Sequence, residues 1–473
     1  MTRIRSLAFY CLAVLAVGPG SAWAGSLLAG FATSDITPPL NLEMAGFGPF
    51  FQRKGTRIHD PLMAHAMVAE VGGKRIAIVD CDVAGITLEM TRKVRSLVEA
   101  GTGIPGQHVL VSTTHTHSGP AIPHWIGWGQ QDAEYLGAFP EKVARAVIGA
   151  SKNLQPVELY YGEVPVEGIG ENREYPGGPV DKKLRVLEFK HGSIVKGFIV
   201  NHSVHNVIFS ELMHEYTADL TGVGIAKVLK DYPNAVGVFL QGSCGDINPA
   251  PAHGINLAPP EKCVQLLEQL SDRFADYVRQ ALKAATPMEV TRMDMDARAI
   301  DLPEVPTDRA LVLRNMQLAD ELLEGRSHVA FLDSGAKAPP LPQSAQRWLR
   351  FSRDTSSAVL DRYNRNPLDA KETEIQALRI QDVLILTDPA ELFITFADQI
   401  DEMLPSWKVW VAGYTNDYVG YIPSPDRYDL RGGQFSYPAY FTPMMNGEFR
   451  YREDVGDVLV HQMVALARDL TAH

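Results

Sequence analysis

Cysteine and positive charge are both scarce in this chain. Its 473 residues include four cysteines, and no two of them form a Cys-x-x-Cys pair, so a structural zinc knot is not expected. Lys and Arg number 44 against 56 Asp and Glu, which gives a formal net charge of −12 at pH 7. An acidic surface disfavours nucleic acid as a partner. The sequence also shows no internal repeat, low-complexity tract or Gly/Ser linker.

Long apolar runs are absent beyond the N-terminus. There, Arg3 and Arg5 precede an apolar stretch from Leu7 to Val17, and small residues follow in Ser21-Ala-Trp-Ala24. This arrangement is typical of a cleavable secretory signal, which we predict over residues 1–24. No later segment reaches the roughly 20 apolar residues that a membrane helix requires. We therefore expect a periplasmic or secreted protein without an integral membrane segment, its residues 25–473 forming one large domain.

Three cysteines remain after this cleavage, namely Cys81, Cys244 and Cys263. In an oxidising compartment Cys244 and Cys263 are the candidates for a disulfide, since they are the nearest pair in sequence. Free thiols are the alternative, and loop length alone does not decide between them because a disulfide needs a specific geometry. Cys81, which lies in an apolar run, is the expected odd thiol.

Short apolar runs alternate with helical patterns, which predicts a mixed α/β (α+β) protein. Several runs are continuously β-branched, as is typical of strands buried on both faces. The predicted strands are 63–71, 75–80, 108–113, 157–163, 184–189, 195–201, 235–241, 373–380, 383–387 and 408–413, and the predicted helices are 88–100, 139–153, 222–231, 260–284 and 454–470. Residues 304–366 are charged, helical and interrupted by prolines, and we interpret them as a helical excursion from the same domain.

The most informative local feature is a pair of histidines, His115 and His117, at the end of the strand 108–113. Because side chains on a strand alternate with period two, both imidazoles are expected to point the same way. One metal ion or one substrate could then contact both. The alternative is that they make ordinary hydrogen bonds in the core or lie on the surface.

Four further candidates follow other predicted strands. They are His205 after the strand 195–201, Asp246 after 235–241, Glu391 after 383–387 and Tyr421 after 408–413. Ligands gather at strand ends because loops vary there over a rigid scaffold, so we expect one convergent site. Each residue also has a structural alternative, such as a helix cap for Glu391, a turn residue for Asp246 and a core aromatic for Tyr421.

Taken together, these motifs resemble the catalytic domain of the neutral, non-lysosomal ceramidases in content and in order. The resemblance covers nearly the whole chain after residue 24 and implies a large sheet-based catalytic domain with flanking helices. It rests on Thr33-Ser-Asp-Ile-Thr-Pro38, Met44-Ala-Gly46, Ile58-His-Asp-Pro-Leu62, Thr114-His-Thr-His-Ser-Gly-Pro120, Asn172-Arg173, Gly245-Asp-Ile-Asn-Pro249, Pro389-Ala-Glu391 and Asn416-Asp-Tyr-Val-Gly-Tyr421.

The resemblance implies a Zn²⁺ ion, because the matching family positions hold zinc. The implied ligands are His115, His205, Glu391 and Tyr421, and such nitrogen and oxygen donors suit this metal. His202 competes with His205 for its place, because the match there passes through a gapped stretch. Tyr418 competes in the same way with Tyr421.

The resemblance also implies residues that contact substrate. His117 would exchange protons or hold a polarised carbonyl oxygen beside the metal. Arg173 would contact substrate, as would Gly46, which lies in one of the matching motifs. The structural alternatives are that His117 only orients a neighbour and that Arg173 pairs with Glu171 or Glu174.

One position departs from the family. Its members have a serine, the proposed nucleophile, where this chain has Asn248, and an amide cannot be deprotonated to attack a carbonyl at neutral pH. Ser243 and Cys244 are weaker candidates to replace it. We therefore expect hydrolysis by water that zinc activates, with His117 or Asp246 exchanging the proton and Asn248 donating to the oxyanion.

The resemblance thus implies a zinc-dependent hydrolase that cleaves an amide, or a related ester or lactone, in a small or lipid-like acyl substrate. A true ceramidase and a non-catalytic member that only binds a metal or ligand are the alternatives. Family members carry a further C-terminal β-sandwich domain, for which nothing remains after the predicted helix 454–470. Long-chain ceramide is therefore the less secure substrate.

Overall fold

The structure is a computed structural model, and it describes residues 26–48, 52–252, 257–324, 341–365, 370–429 and 436–472. The predicted signal peptide, residues 1–24, lies outside the described residues. Within the described ranges, no helix has both the length and the hydropathy that a membrane span requires.

The described residues form a mixed α/β fold, as predicted. Its strands are β1 Leu28–Asp35, β2 Arg57–Ile58, β3 Met63–Val71, β4 Lys74–Cys81, β5 Val109–Thr113, β6 Gln155–Pro156, β7 Glu158–Pro165, β8 Gly170–Asn172, β9 Lys183–His191, β10 Ile194–His202, β11 Glu215–Tyr216, β12 Val236–Gln241, β13 Ile247–Pro249, β14 Thr286–Met288, β15 Met293–Val305, β16 Ala370–Ile380, β17 Val383–Thr387, β18 Glu391–Leu392, β19 Lys408–Ala412, β20 Tyr421–Ile422 and β21 Arg450–Tyr451. Its helices are α1 Leu88–Thr102, α2 Ala133–Lys152, α3 Asp219–Leu229, α4 Pro260–Ala284, α5 Arg309–Leu323, α6 Gln343–Arg365, α7 Ile394–Met403, α8 Thr442–Met445 and α9 Val455–Thr471.

All ten predicted strands and all five predicted helices are present, with shifted ends. Helix α2 begins six residues before its predicted start, because the Asp132 side chain accepts a hydrogen bond from the Tyr135 amide and caps the helix there. The sequence analysis missed β1 and the 13-residue β15. The predicted excursion begins later than residue 304, because β15 extends to Val305 before α5 and α6 follow.

Three five-stranded sheets share one topology, although the sequence shows no repeat. Their strand orders are β5-β4-β3-β1-β6, β12-β10-β9-β7-β14 and β19-β17-β16-β15-β21. In each sheet an antiparallel hairpin is followed by one helix and then by an edge strand parallel to the second hairpin strand. The three hairpin-helix-strand units are β3-β4-α1-β5, β9-β10-α3-β12 and β16-β17-α7-β19.

Packing follows the same threefold pattern. One face of every sheet contributes to a single shared core, which includes Met67, Ile199 and Trp410. The other face of each sheet packs against its own helices, which are α1 and α2 for the first sheet, α3 and α4 for the second, and α7 and α9 for the third. Burial on both faces explains why the central strands are continuous apolar runs.

Polar side chains join the three sheets near the carboxyl ends of the parallel strands. Asn201 donates to Leu240 O and, across to the third sheet, to Val411 O at 2.9 Å. Gln241 donates to Thr114 O at 3.0 Å, and Asn416 Oδ1 accepts from Val111 N at 3.0 Å. These bonds hold the loops after β5, β12 and β19 next to one another.

All three described cysteines are buried and free, so the Cys244–Cys263 disulfide that the sequence left open is not formed. The Cys244 thiol lies 3.1 Å from the Tyr414 hydroxyl, whereas the Cys263 thiol, in α4, donates to Ala258 O just before that helix. The two thiols therefore form hydrogen bonds with different partners.

Candidate metal centre and adjoining cavity

His115 is brought into the site by a turn and not by strand periodicity. Strand β5 ends at Thr113, and His115 has a left-handed φ of 59°. Its amide donates to Val83 O, its Nδ1 donates to Ala84 O, and its ring stacks on Tyr414 at 4.2 Å between centroids. His115 and His117 converge as predicted, with their Nε2 atoms 3.0 Å apart. The reason given for it, the alternation of side chains along a strand, was wrong, because both residues lie beyond the end of β5.

His205 reaches the same point from the second sheet. It follows β10, and its backbone amide and its Nδ1 both donate to Ile247 O, at 3.0 and 3.1 Å. The next residue, Asn206, donates to Thr114 O at 2.7 Å and so ties this loop to the histidine turn. His202 lies elsewhere, because its Nδ1 donates to Lys183 O at 2.9 Å. The structure thus brings His205, and not His202, to His115.

Glu391 comes from the third sheet. It lies in β18, which pairs in parallel with β20 so that Glu391 is opposite Tyr421. Its Oε2 lies 3.4 Å from His115 Nε2 and 3.2 Å from His205 Nε2. Helix α7 begins only at Ile394, so Glu391 does not cap it.

These contacts place the lone pairs of two imidazole nitrogens opposite a carboxylate oxygen. Since Nδ1 of His115 and of His205 donates to a carbonyl, their Nε2 atoms carry lone pairs in the neutral tautomer. Both lone pairs face a carboxylate oxygen of Glu391, in a region where all three residues are at most 3% exposed. The Nε2 atoms of His115, His117 and His205 form a group compact enough for one metal ion. Such a set of buried acceptors fits a cation.

The protonation states follow from burial and mutual charge. Burial raises the pKa of Glu391, but His115 and His205 outweigh it and hold this pKa well below its ordinary value. Burial and the charge of Arg173 lower the pKa of His205 to about 4. Burial, with His115 and His205, also places the pKa of His117 well below its usual range. A carboxylate and a neutral imidazole are the forms that bind a metal ion, and the lowered pKa values of Glu391 and His205 favour these forms.

Arg173 makes hydrogen bonds to three groups beside the histidine-carboxylate centre. Its guanidinium donates to Asn248 Oδ1 at 3.1 Å, to Gly245 O at 2.7 Å and to the Tyr421 hydroxyl at 2.6 Å. Glu174 pairs instead with Arg427. Because arginine only donates, the Asn248 amide must present its oxygen to Arg173. Its Nδ2 is then the donor left to face the cavity.

Asp246 is occupied by structural bonds. Its Oδ1 accepts from Ile394 N at 2.9 Å, at the start of α7, and its Oδ2 accepts from Asn172 Nδ2 at 2.7 Å. Burial raises its pKa to about 6, although these donors oppose the shift. Asp246 thus joins the loop before β13 to β8 and α7, and it does not line the adjoining cavity.

The two competing tyrosines have different places. The Tyr418 hydroxyl donates to Glu391 Oε1 at 2.6 Å, and its ring packs against Trp125. Tyr421 lines the cavity and shares its hydroxyl with Arg173. Burial raises the pKa of both hydroxyls well above the ordinary value. Tyr421 is therefore the one that both the centre and a ligand could reach.

A cavity of about 610 Å³ opens beside the centre. His117, Arg173, Asn248 and Tyr421 form its polar end. Aromatic rings form much of the remaining wall, with Gly46, Val207 and two acids; the rings are Phe47, Trp128, Trp348, Tyr437 and Phe441. The volume suits a ligand of moderate size. Neither Ser243 nor Cys244 lines this cavity, and burial raises the pKa of the Cys244 thiol well above its usual value.

Sequence reasoning assigned Gly46 to substrate, but the structure also shows a positioning role. Gly46 has a φ of 106°, and a Cβ built on it would lie 2.4 Å from Cγ of His117. The absence of a side chain thus allows the His117 ring to occupy its place. The Ala84 carbonyl and Glu211 were missed, since a backbone acceptor and a lone acid on a loop leave no pattern in the sequence.

The chain is similar to known proteins along most of its length. Residues 27–256 match the family "Neutral/alkaline non-lysosomal ceramidase, N-terminal". The neutral ceramidase of Mycobacterium tuberculosis is 22% identical, over 85% of this chain and 72% of that protein. The neutral ceramidase of Pseudomonas aeruginosa is 26% identical, over 49% of this chain and 37% of that protein. The crystal structure of the Pseudomonas aeruginosa protein superposes with a TM-score of 0.69 at 21% identity, covering 94% of this chain and 74% of that one.

Fold and site define a mixed α/β protein with a histidine-carboxylate centre beside an aromatic cavity. The expected ceramidase-like fold is confirmed by the structural match. With the motif order, residues 27–256 belong to the neutral/alkaline non-lysosomal ceramidase family, and the similarity to a family relative extends over 85% of the chain.

Proposed function

We propose that this protein is a zinc-dependent hydrolase that cleaves the amide bond of an acyl amide, with a ceramide-like N-acyl group as the nearest chemical class. The observation that carries the proposal is the set of buried acceptors from His115, His205 and Glu391, placed beside a cavity that Asn248 and His117 also line. The names of the relatives support the amide bond as the target.

The donor set fits zinc. Imidazole nitrogens and a carboxylate oxygen are common zinc ligands, and Tyr421 would add a phenol oxygen. The carbonyls that accept from Nδ1 of His115 and His205 fix the tautomer in which Nε2 is free to bind. When bound, zinc would polarise a carbonyl group and lower the pKa of a water molecule.

The chain's own residues supply the remaining chemistry. His117 lines the cavity and its Nδ1 has no hydrogen-bond partner in the described part of the chain, which places this ring to take up a proton and return it to the leaving amine. Asn248, oriented by Arg173, directs Nδ2 at the cavity and would stabilise a developing oxyanion. Asp246 holds the Asn248 loop in place rather than exchanging protons.

Metal removal tests this proposal. Chelation should abolish hydrolysis of N-acyl amides, and added Zn²⁺ should restore it. Glu391→Gln should lower zinc affinity by on the order of 100-fold or more, since even indirect partners of a ligand matter by 10 to 100-fold. Glu188→Gln is the control, because Glu188 is equally buried but pairs with Lys190 on another sheet. Full activity of the metal-free protein would refute the proposal.

A screen of N-acyl amides, esters and lactones would separate the related activities. Turnover of ceramide itself would identify a true ceramidase. Bound zinc without hydrolysis of any of these compounds would identify a binding protein, an alternative against which the retention of His115, His205, Glu391 and Tyr421 argues.

We also propose that the protein is periplasmic or secreted, on the strength of the signal-like residues 1–24. Cell fractionation followed by N-terminal sequencing tests this, and a mature chain that begins after Ala24 is the expected result. A chain that keeps its first residues and stays in the cytoplasm would contradict it.

A further inference from the structure

One carboxylate in the cavity has no part in the proposed reaction. Glu211 lines the cavity together with Val207 and Asn248. No cation in the described ranges forms an ion pair with it, in contrast to Glu174, the other acid of the cavity wall, which pairs with Arg427 at 3.2 Å. Glu211 thus contributes a negative charge that the protein leaves uncompensated at short range.

Arg53 is the cation whose charge acts on Glu211, but its guanidinium is hydrogen-bonded to other groups. Its guanidinium donates to the carbonyl oxygens of Met213, Ala45 and His117, at 3.2, 3.3 and 2.9 Å, and lies over the Phe47 ring at 4.7 Å. Arg53 opposes the effect of burial, which raises the pKa of Glu211. It acts on Glu211 through charge at a distance and not through a hydrogen bond.

The Glu211 backbone is held in a tight turn. Met213 N donates to Ser210 O at 3.0 Å, and Leu212 N donates to the Ser210 hydroxyl, which itself donates to Ala258 O at 2.7 Å. Arg53 closes the turn through its bond to Met213 O. The position of the Glu211 backbone beside the cavity is therefore set by the fold.

A carboxylate beside aromatic rings matches the chemistry that recognises an ammonium group. The carboxylate supplies a charge, and the face of an aromatic ring such as Trp128 attracts cations, whereas the Phe47 ring already contacts Arg53. We propose that Glu211 determines specificity in this site by binding a cationic group, an ammonium, on the acyl amide substrate. This inference rests on the proposed function, and it names the substrate class more narrowly than a neutral ceramide-like amide.

A matched pair of substrates tests the proposal. N-octanoyl-ethylenediamine ends in an ammonium, and N-octanoyl-ethanolamine ends in a hydroxyl of similar size. For the zinc-loaded protein we expect kcat/KM to be about tenfold higher for the ammonium compound, as for a partly desolvated ion pair. Glu211→Gln should remove that preference, and Glu211→Lys should reverse it. Glu174→Gln is the control and should keep most of it, because Arg427 already compensates that charge.

Binding of the corresponding octanesulfonamides, which are not hydrolysed, provides a readout independent of turnover. Calorimetry should show the same preference for the ammonium member, lost in Glu211→Gln. Turnover without any charge preference would overturn this inference and leave the proposed function intact. A binding preference that depends on Glu211, with no hydrolysis of either amide, would support the ammonium subsite and refute the hydrolase. A preference that survives Glu211→Gln and Glu211→Lys would refute the assignment to Glu211.

Discussion

Replacing Gly46 by alanine should disable His117 without removing any functional group. The new Cβ would lie 2.4 Å from Cγ, 2.6 Å from Nδ1 and 2.7 Å from Cβ of His117. Carbon atoms in contact are about 3.5 to 4.0 Å apart, so the ring would have to move by about 1 Å. A displacement of that size costs on the order of 100-fold in rate when the displaced group takes part in the chemistry.

The backbone adds a separate cost to this substitution. A φ of 106° is unfavourable for alanine, by about 1 to 3 kcal/mol of folding free energy. Gly192→Ala gives a lower limit for that backbone cost without any clash, because Gly192 has a φ of 58° in the turn between β9 and β10, where a Cβ would meet no atom within 4 Å.

The assay is kcat/KM on the best amide from the screen, with thermal unfolding and zinc content measured in parallel. Gly46→Ala should lose about 100-fold in kcat/KM, whereas Gly192→Ala should lose stability alone. If Gly46→Ala kept kcat/KM within about twofold of the wild type, the role given to His117 would be refuted.

Two further predictions concern Asp388 and Arg173. Burial raises the pKa of Asp388 to about 8, so the folded state retains a proton and the unfolding free energy falls as pH rises from about 4 to 8. Asp388→Asn should therefore gain stability relative to the wild type towards pH 8, by a few kcal/mol at most. The measurement is the urea midpoint of the variant minus that of the wild type, and the same difference at pH 4.5 and at pH 8 would contradict this prediction. Arg173→Lys should lower kcat/KM by about 10 to 100-fold with little change in melting temperature, because lysine cannot make the three bonds to Asn248, Gly245 and Tyr421; unchanged kinetics would show that Asn248 needs no such support.

The central strands were predictable because burial on both faces leaves a local signature. Strands such as β5 and β17 are buried at every position and are apolar up to their C-terminal hydroxyl residues. Strand β15 was not predicted because its two ends pack into different parts of the core. Exposed and buried positions therefore do not alternate regularly along the strand. The threefold repeat escaped because the same topology can be built from unrelated apolar residues.

The residues of the candidate centre were predictable only as a set. Neither His115 nor Glu391 has a local signature that separates a ligand from a core residue or a helix cap. The order of motifs along the chain supplied that information, because it resembles one family. Whether Glu211 or the Ala84 carbonyl faces the same cavity depends on which loops meet, and no short stretch of sequence encodes this.

The sequence by itself determined the class of fold, most element positions, the family and the identity of the candidate metal donors, because apolar periodicity and motif order are properties of the chain alone. Only the tertiary structure decided that His205 and not His202 joins His115, that Asp246 braces a loop and that Gly46 makes room for His117. These outcomes depend on atoms from three sheets meeting within a few ångströms. Such distances are set by packing over the whole domain.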